Sequence, residues 1–162
     1  MFQIATFLYE PLLGIHNILR WLVVLGALLA FGGALLGLAR KSSWGGGDDR
    51  AGLFFASVMD LQLLVGLLLY FLVSPIVAVA TQDFGAAMGQ SALRFFAVEH
   101  LALMLLAVIT VHIGRAASKK AVESRQRFKR AAIWYGITIV LVLVSIPWPF
   151  TMGRPLLPFY WF

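Results

Sequence analysis

The chain has no cysteine among its 162 residues. That absence excludes disulfides, thiolate metal sites, iron–sulfur clusters, cysteine nucleophiles and covalent CxxCH haem attachment. Charge is also scarce: Asp, Glu, Lys and Arg make up 12% of the residues, against 61% hydrophobic. A soluble domain carries about 25% charged residues, so the solvent for most of this chain is lipid. Soluble-type catalytic patterns are missing as well. There are no paired carboxylates and no nucleophile–base spacing, and Gly45-Gly46-Gly47 lacks the Lys and Ser/Thr of a phosphate-binding loop. An independent enzyme is therefore not expected. The net charge of +6 is concentrated in two short segments between apolar runs. Anionic lipid headgroups are their nearer partner, and nucleic acid is not expected to be one.

A spanning helix needs about 20 mostly apolar residues. Four stretches meet that need, approximately 17–39, 53–79, 92–114 and 131–150. The fold class predicted is an all-α membrane protein, a four-transmembrane-helix antiparallel bundle forming one membrane domain over 1–162. The linker 39–50 carries Arg40, Lys41 and Arg50, the linker 115–130 carries seven Lys or Arg, and the middle linker TQDFGAAMGQ carries none. Short Lys/Arg-rich loops stay on the cytoplasmic side, which predicts both termini outside, on the periplasmic side of a bacterial membrane. The N-terminus shows no positive n-region and no cleavage-site pattern, so the first helix is expected to act as its own insertion signal.

Gly26, Ala30 and Ala34, with Gly33 and Gly37 beside them, give the first helix a small-residue face for close helix approach. Pro75, Pro147 and Pro149 read as kinks or terminators. The aromatic tail, 151–162, reads as an interfacial anchor or a strap against a partner.

Ionisable groups inside hydrocarbon are costly, so each is a candidate functional residue. His16 and Arg20 share one helix face. They suit an axial imidazole and a cation for a propionate, and they equally suit an interfacial His with a snorkelling Arg. The segment LRFFAVEHLALM places Arg94, Glu99 and His100 in the outer half of the third helix, with Phe96, His100 and Met104 on one face. That face fits a haem edge or a core face with one bonded imidazole. Glu99 has three readings: a pair with Arg94, a pair with Arg20, or an acceptor that orients His100. His112 lies near the cytoplasmic surface, where Asp60 and Gln62 are the nearest polar groups. If Arg40 and Arg115 mark one plane, His16 lies 24 residues out and His100 only 15, a depth mismatch of about 13 Å at 1.5 Å per residue. On that count His100 takes a different ligand, such as a methionine, or His16, Arg20, Arg94 and Glu99 form an interface cluster for a quinone head or an anionic lipid.

At HNILRWLVVL, DLQLLVGLLLYF, LRFFAVEH and SIPWPF the chain resembles a family of small four-helix bacterial inner-membrane proteins labelled cytochrome-b-like. The resemblance covers most of the chain. It implies a multi-pass protein of the bacterial inner membrane and haem b bound with its iron between His16 and His100.

The leading expectation is thus a b-type cytochrome-like electron carrier or quinone-linked subunit. His16 and His100 serve as ligands, Arg20 and Arg94 face propionates, and Phe96 and Met104 line the ring. The alternative from another class is a redox-silent accessory subunit of a larger respiratory or photosynthetic membrane complex, or of a homo-oligomer. A third reading, solute or proton transport through Asp60, Gln62 and His112, needs a continuous polar path.

Overall fold

The computed structural model describes residues 2–148, with side chains from residue 7 onward. Among these residues all regular secondary structure is helical, without a strand. Helix α1 runs Phe2–Ala27, passes through a wide π-helical turn at Leu28–Gly32 and continues as Gly33–Arg40. Helix α2 comprises Gly46–Leu68 and a second π turn, Leu69–Val73. Two short helices, α3 (Pro75–Gln82) and α4 (Phe84–Met88), form the middle connection. Helix α5 begins at Ser91–Arg94, passes a third π turn at Phe95–Glu99 and runs on as His100–Lys120. Helix α6 is Ser124–Ser145. Four helices are long and apolar enough to cross a membrane, the spans Phe7–Arg40, Gly46–Val73, Ser91–Lys120 and Ser124–Ser145.

Side-chain register shows each neighbouring pair antiparallel, residue numbers rising on one helix as they fall on the other. Gly26 faces Phe55 and Gly66 faces His16 across α1 and α2. Asp60 meets His112 and Tyr70 meets Ala97 across α2 and α5. Thr110 meets Thr138 and Met104 meets Ser145 across α5 and α6. Gly37 abuts Phe128, and Phe31 abuts Gly136, closing α6 onto α1. Lipid gives helices no hydrophobic reason to associate, so close approach through small residues and a few interhelical hydrogen bonds must hold them. Ala30, Ala34 and Gly37 of the expected small-residue face are buried. Gly33 instead faces open space.

The basic end is locked by Trp44, whose backbone N–H donates to Ser124 Oγ at 3.0 Å and whose indole N–H donates to Asp49 at 3.1 Å. Arg127 lies over the Trp44 ring at 4.8 Å, pairs with Asp49 at 3.2 Å and donates to the Ser118 carbonyl. The linker 39–50 is short and capped. The Asp48 carboxylate accepts from Gly45 N–H at 2.8 Å, and helix begins at Gly46.

All four helix extents differ from the sequence expectation. The first helix begins at Phe2 rather than 17, the second at Gly46 rather than 53, and the fourth runs Ser124–Ser145 rather than 131–150, the earlier starts arising because polar residues at helix ends fall outside the apolar runs. The second helix does not continue to 79. It stops at Ser74, because Pro75 cannot donate an N–H and instead starts α3, with Ser74 Oγ accepting from Val77 N–H. The third helix passes 114 and runs to Lys120, since Arg115 and Ser118 are tolerated at a helix end facing headgroups. Pro149 and the tail 151–162 lie outside the described residues.

A Cβ at Gly37 would fall inside the buried Phe128 ring, and one at Gly52 would meet the Tyr135 hydroxyl at 2.5 Å. Gly37→Ala and Gly52→Ala are each expected to destabilise the bundle by about 1–3 kcal/mol through overpacking. Gly33→Ala, with open space around it, should be neutral or slightly stabilising. Thermal unfolding in mild detergent checks the three side by side.

Candidate functional site

The end of the bundle away from the basic linkers is built differently from the rest. Two of the three π turns meet there: Tyr70, in the turn ending α2, donates its hydroxyl to the carbonyl of Ala97, in the turn opening α5, at 2.8 Å. An extra residue in a helical turn re-aims side chains and often marks a functional position. Here the turns deliver Leu69, Tyr70 and Phe96 to the wall of a cavity of about 170 Å³. His16, Asn17 and Arg20 of α1, Gly66 of α2 and His100 of α5 also line it.

His16 and His100 are brought together, their ring centroids 6.2 Å apart and their planes at 69°. The mismatch counted from Arg40 and Arg115 does not exist, because those arginines do not share a plane. The helix bearing His100 runs five residues past Arg115, to Lys120. The π turn at Leu28–Gly32 also shortens the axial distance from His16 to Arg40.

The orientation of His100 follows from proline chemistry. In a continuing helix the Ser145 carbonyl would accept from the residue four places on, but that residue is Pro149, which has no N–H. The His100 Nδ1–H takes that place, donating to Ser145 O at 2.8 Å. A carbonyl only accepts, so Nδ1 carries the proton and Nε2 keeps a lone pair. The same logic acts at Leu143, whose fourth residue on is Pro147. Its carbonyl accepts instead from the Trp148 indole N–H at 2.9 Å. Two of the carbonyls freed where the helix ends at SIPWP are thus filled by side-chain donors.

His16 is held less completely. Its Nε2 lies 3.2 Å from Gln62 Nε2, while its Nδ1 and the Gln62 Oε1 are buried with no hydrogen-bond partner. Turning the Gln62 amide so that Oε1 accepts from His16 Nε2–H gives the orphaned oxygen a donor. Nδ1 is then left with a bare lone pair, the protonation state of a metal ligand. A Cβ at Gly66 would meet His16 Cε1 at 3.2 Å, so α1 and α2 approach closely there.

The remaining sequence candidates divide. Arg20 is buried on the cavity wall and stacks near Trp21. Phe96 lines the cavity, with its ring centroid 6.3 Å from that of His100. Met104 does not line it; the Met104 sulfur accepts from Ser145 Oγ at 3.0 Å inside the core. Arg94 is turned outward, donating to Glu99 at 2.6 Å and to the Met88 carbonyl at 3.2 Å. Of the three readings of Glu99, the ion pair with Arg94 is therefore the one observed, and Ser145 rather than Glu99 orients His100. Gln62, expected near His112, faces the opposite way onto His16. Asp60 does pair with His112, at 2.8 Å. Tyr70, Gly66 and the Ser145 carbonyl were not singled out in the sequence. The two prolines of SIPWP were the one available signal for the free carbonyl.

No family model, curated protein or solved structure matches this chain. The function of the cavity is thus read from its geometry alone.

Gln62→Leu removes the one bonded partner of His16 and is expected to destabilise the protein by about 1–3 kcal/mol, the cost of a buried polar group left unmatched. Adding His16→Leu removes both ends of the contact, so the double variant should recover most of that loss. Thermal unfolding of the two singles and the double gives the coupling.

Proposed function

We propose that this protein is a membrane-embedded electron-transfer subunit that binds haem b between His16 and His100. The observation that carries the reading is the pair of imidazoles from separate helices across one cavity. A ring nitrogen lies about 1 Å from the imidazole centre and a metal–nitrogen bond is about 2 Å, so two rings on one metal stand roughly 6 Å apart, centre to centre. The 6.2 Å separation fits that arrangement. The donor count fits as well. A macrocycle supplies four of the six donors itself, so two imidazoles are the number a haem iron needs from the protein.

His100, tethered at Nδ1 by the Ser145 carbonyl, would present Nε2; His16, steadied by Gln62, would present its other nitrogen. Arg20 supplies a buried positive charge for a propionate, and Phe96 packs at the edge. Gly66 leaves room beside His16 that any larger residue would occupy. The haem iron, when bound, takes up and releases one electron. The cavity, at about 170 Å³, is smaller than the 300–1,000 Å³ of pockets that enclose drug-sized ligands, so its apolar wall of Leu13, Leu69 and Phe96 would have to give way for a macrocycle to enter.

The linker charges orient the proposal. Lys and Arg crowd the end formed by 39–50 and 115–130, which supports a cytoplasmic position for that end in a bacterial inner membrane, against anionic lipid. Both chain termini and the cavity then lie toward the periplasmic side, where a quinone or a partner subunit can exchange electrons with the site. A second reading, a redox-silent accessory subunit of a larger complex, draws on one observation, the half-exposed Asp60–His112 pair on the outer surface of the bundle.

A dithionite-reduced minus air-oxidised spectrum of the detergent-purified protein, expressed with ample haem supply, separates the two. The expected result is a sharp reduced b-type α-band, lost in both His16→Ala and His100→Ala. Loss with His100→Ala alone discards His16 as a ligand. A featureless spectrum of folded protein sinks the cytochrome reading and leaves the accessory-subunit one.

A further inference from the structure

Asp60 is in the wrong place for a carboxylate in a lone four-helix bundle. It sits at the middle of the span Gly46–Val73, about 20 Å of helix from Gly46. Arg50 is about 15 Å of helix away on α2 and Arg115 is one turn from His112 on α5, so the pair lies in the half of the bundle toward the basic linkers, still beyond the reach of a short Asp side chain to headgroups. Its partner His112, at 2.8 Å, is on α5, and the two side chains are each 50% exposed. Ionisable groups in membrane helices almost always face the bundle interior or a water-filled cavity. This pair does not line the cavity of His16 and His100, and its neighbours along the two helices, Leu61, Leu64, Leu105 and Ile109, are exposed apolar side chains. Within the described residues nothing covers it.

We infer that a second copy of this chain covers the α2–α5 face, with Asp60 of each copy meeting His112 of the other. The symmetry of the face selects this occupant. Two copies in the same membrane orientation related by a two-fold axis along the membrane normal place α2 of one opposite α5 of the other. Asp60 and His112, already hydrogen-bonded, stand at one depth, so the rotation sets each carboxylate against the partner copy's imidazole, which as an imidazolium donates from both ring nitrogens. The face is self-complementary in charge, and the dimer converts two lipid-facing pairs into one enclosed four-residue cluster. Nothing in this inference depends on what the cavity at the other end of the bundle binds.

The absence of cysteine makes the test clean. Leu64 and Ile109, both exposed, lie one helical turn from Asp60 and His112 respectively, toward the same end of the bundle. One chain carrying Leu64→Cys and a differently tagged chain carrying Ile109→Cys are co-expressed. They are then crosslinked in native membranes with a short bis-maleimide. Because each chain holds one thiol, any product is intermolecular. The expected product is a dimer bearing both tags, absent when the thiols are moved to Leu36→Cys and Val140→Cys on the exposed outer surfaces of α1 and α6. Replacing the pair by Asp60→Leu and His112→Leu, which leaves an all-apolar face and spares the fold, should lower the crosslinked fraction by about fivefold. Exchanging the two residues, Asp60→His with His112→Asp, should restore it. No doubly tagged dimer, an equal yield from the control positions, or an adduct of a different mass would each overturn the inference. So would undiminished crosslinking in the double leucine variant.

Discussion

A backbone carbonyl inside a membrane has no water to turn to, so one that loses its helical N–H must be satisfied by another group of the protein. Pro147 and Pro149 impose this on Leu143 and Ser145 at the end of α6, and the arrangement of the candidate site follows from it. The Ser145 carbonyl captures His100 Nδ1–H, fixing the tautomer, the ring orientation and the distance between α5 and α6 at that depth. Ser145 Oγ turns the other way, to Met104 and to the Val142 carbonyl. One residue thus sets His100 in place through its backbone and packs the core through its side chain. His16 then meets His100 from α1 because Gly66 lets α1 approach α2 closely.

The same constraint divides the bundle into two kinds of end. At the basic end the helices are regular and tightly keyed, with Phe128 filling the space over Gly37, Tyr135 filling that over Gly52, and Arg127 clamped between Trp44 and Asp49. The opposite end holds the π turns at Leu69–Val73 and Phe95–Glu99, the break at Ser74 and the proline-terminated end of α6. Irregular backbone is tolerated at membrane depth only where protein or a cavity takes up the freed groups. Tyr70 on Ala97, His100 on Ser145 and Trp148 on Leu143 do this. The cavity forms where regular packing has been given up, and the tight basic end supplies the rigidity that a site built on irregular turns lacks.

What could be read in the sequence was whatever depends on composition and spacing. Four apolar runs gave four helices, and Ala30, Ala34 and Gly37 went to a packing face as their spacing suggested. His16 and His100 stood out because ionisable residues are so few. Depth was misjudged, because two arginines were treated as markers of one plane. A long side chain at a helix end reports only that headgroups are within reach, and α5 ran on past Arg115 by more than a turn. The partner of His16 was not legible either. Gln62 and Asp60 are two residues apart, and a shift of about 200° around the helix sends one into the bundle and the other out. Spacing shows that they diverge but not which of them faces inward.

That divergence explains how one helix serves two different surfaces. Within three residues α2 carries Gln62, 5% exposed and bonded to His16, and Asp60, half-exposed and bonded to His112. A neutral amide can stay buried with one good partner, since its desolvation cost is modest. A carboxylate at the same depth needs either a counter-charge with further donors or an escape route to water. The interior face of α2 therefore takes the amide, and the carboxylate goes outward, where association of a second bundle can add a second imidazole.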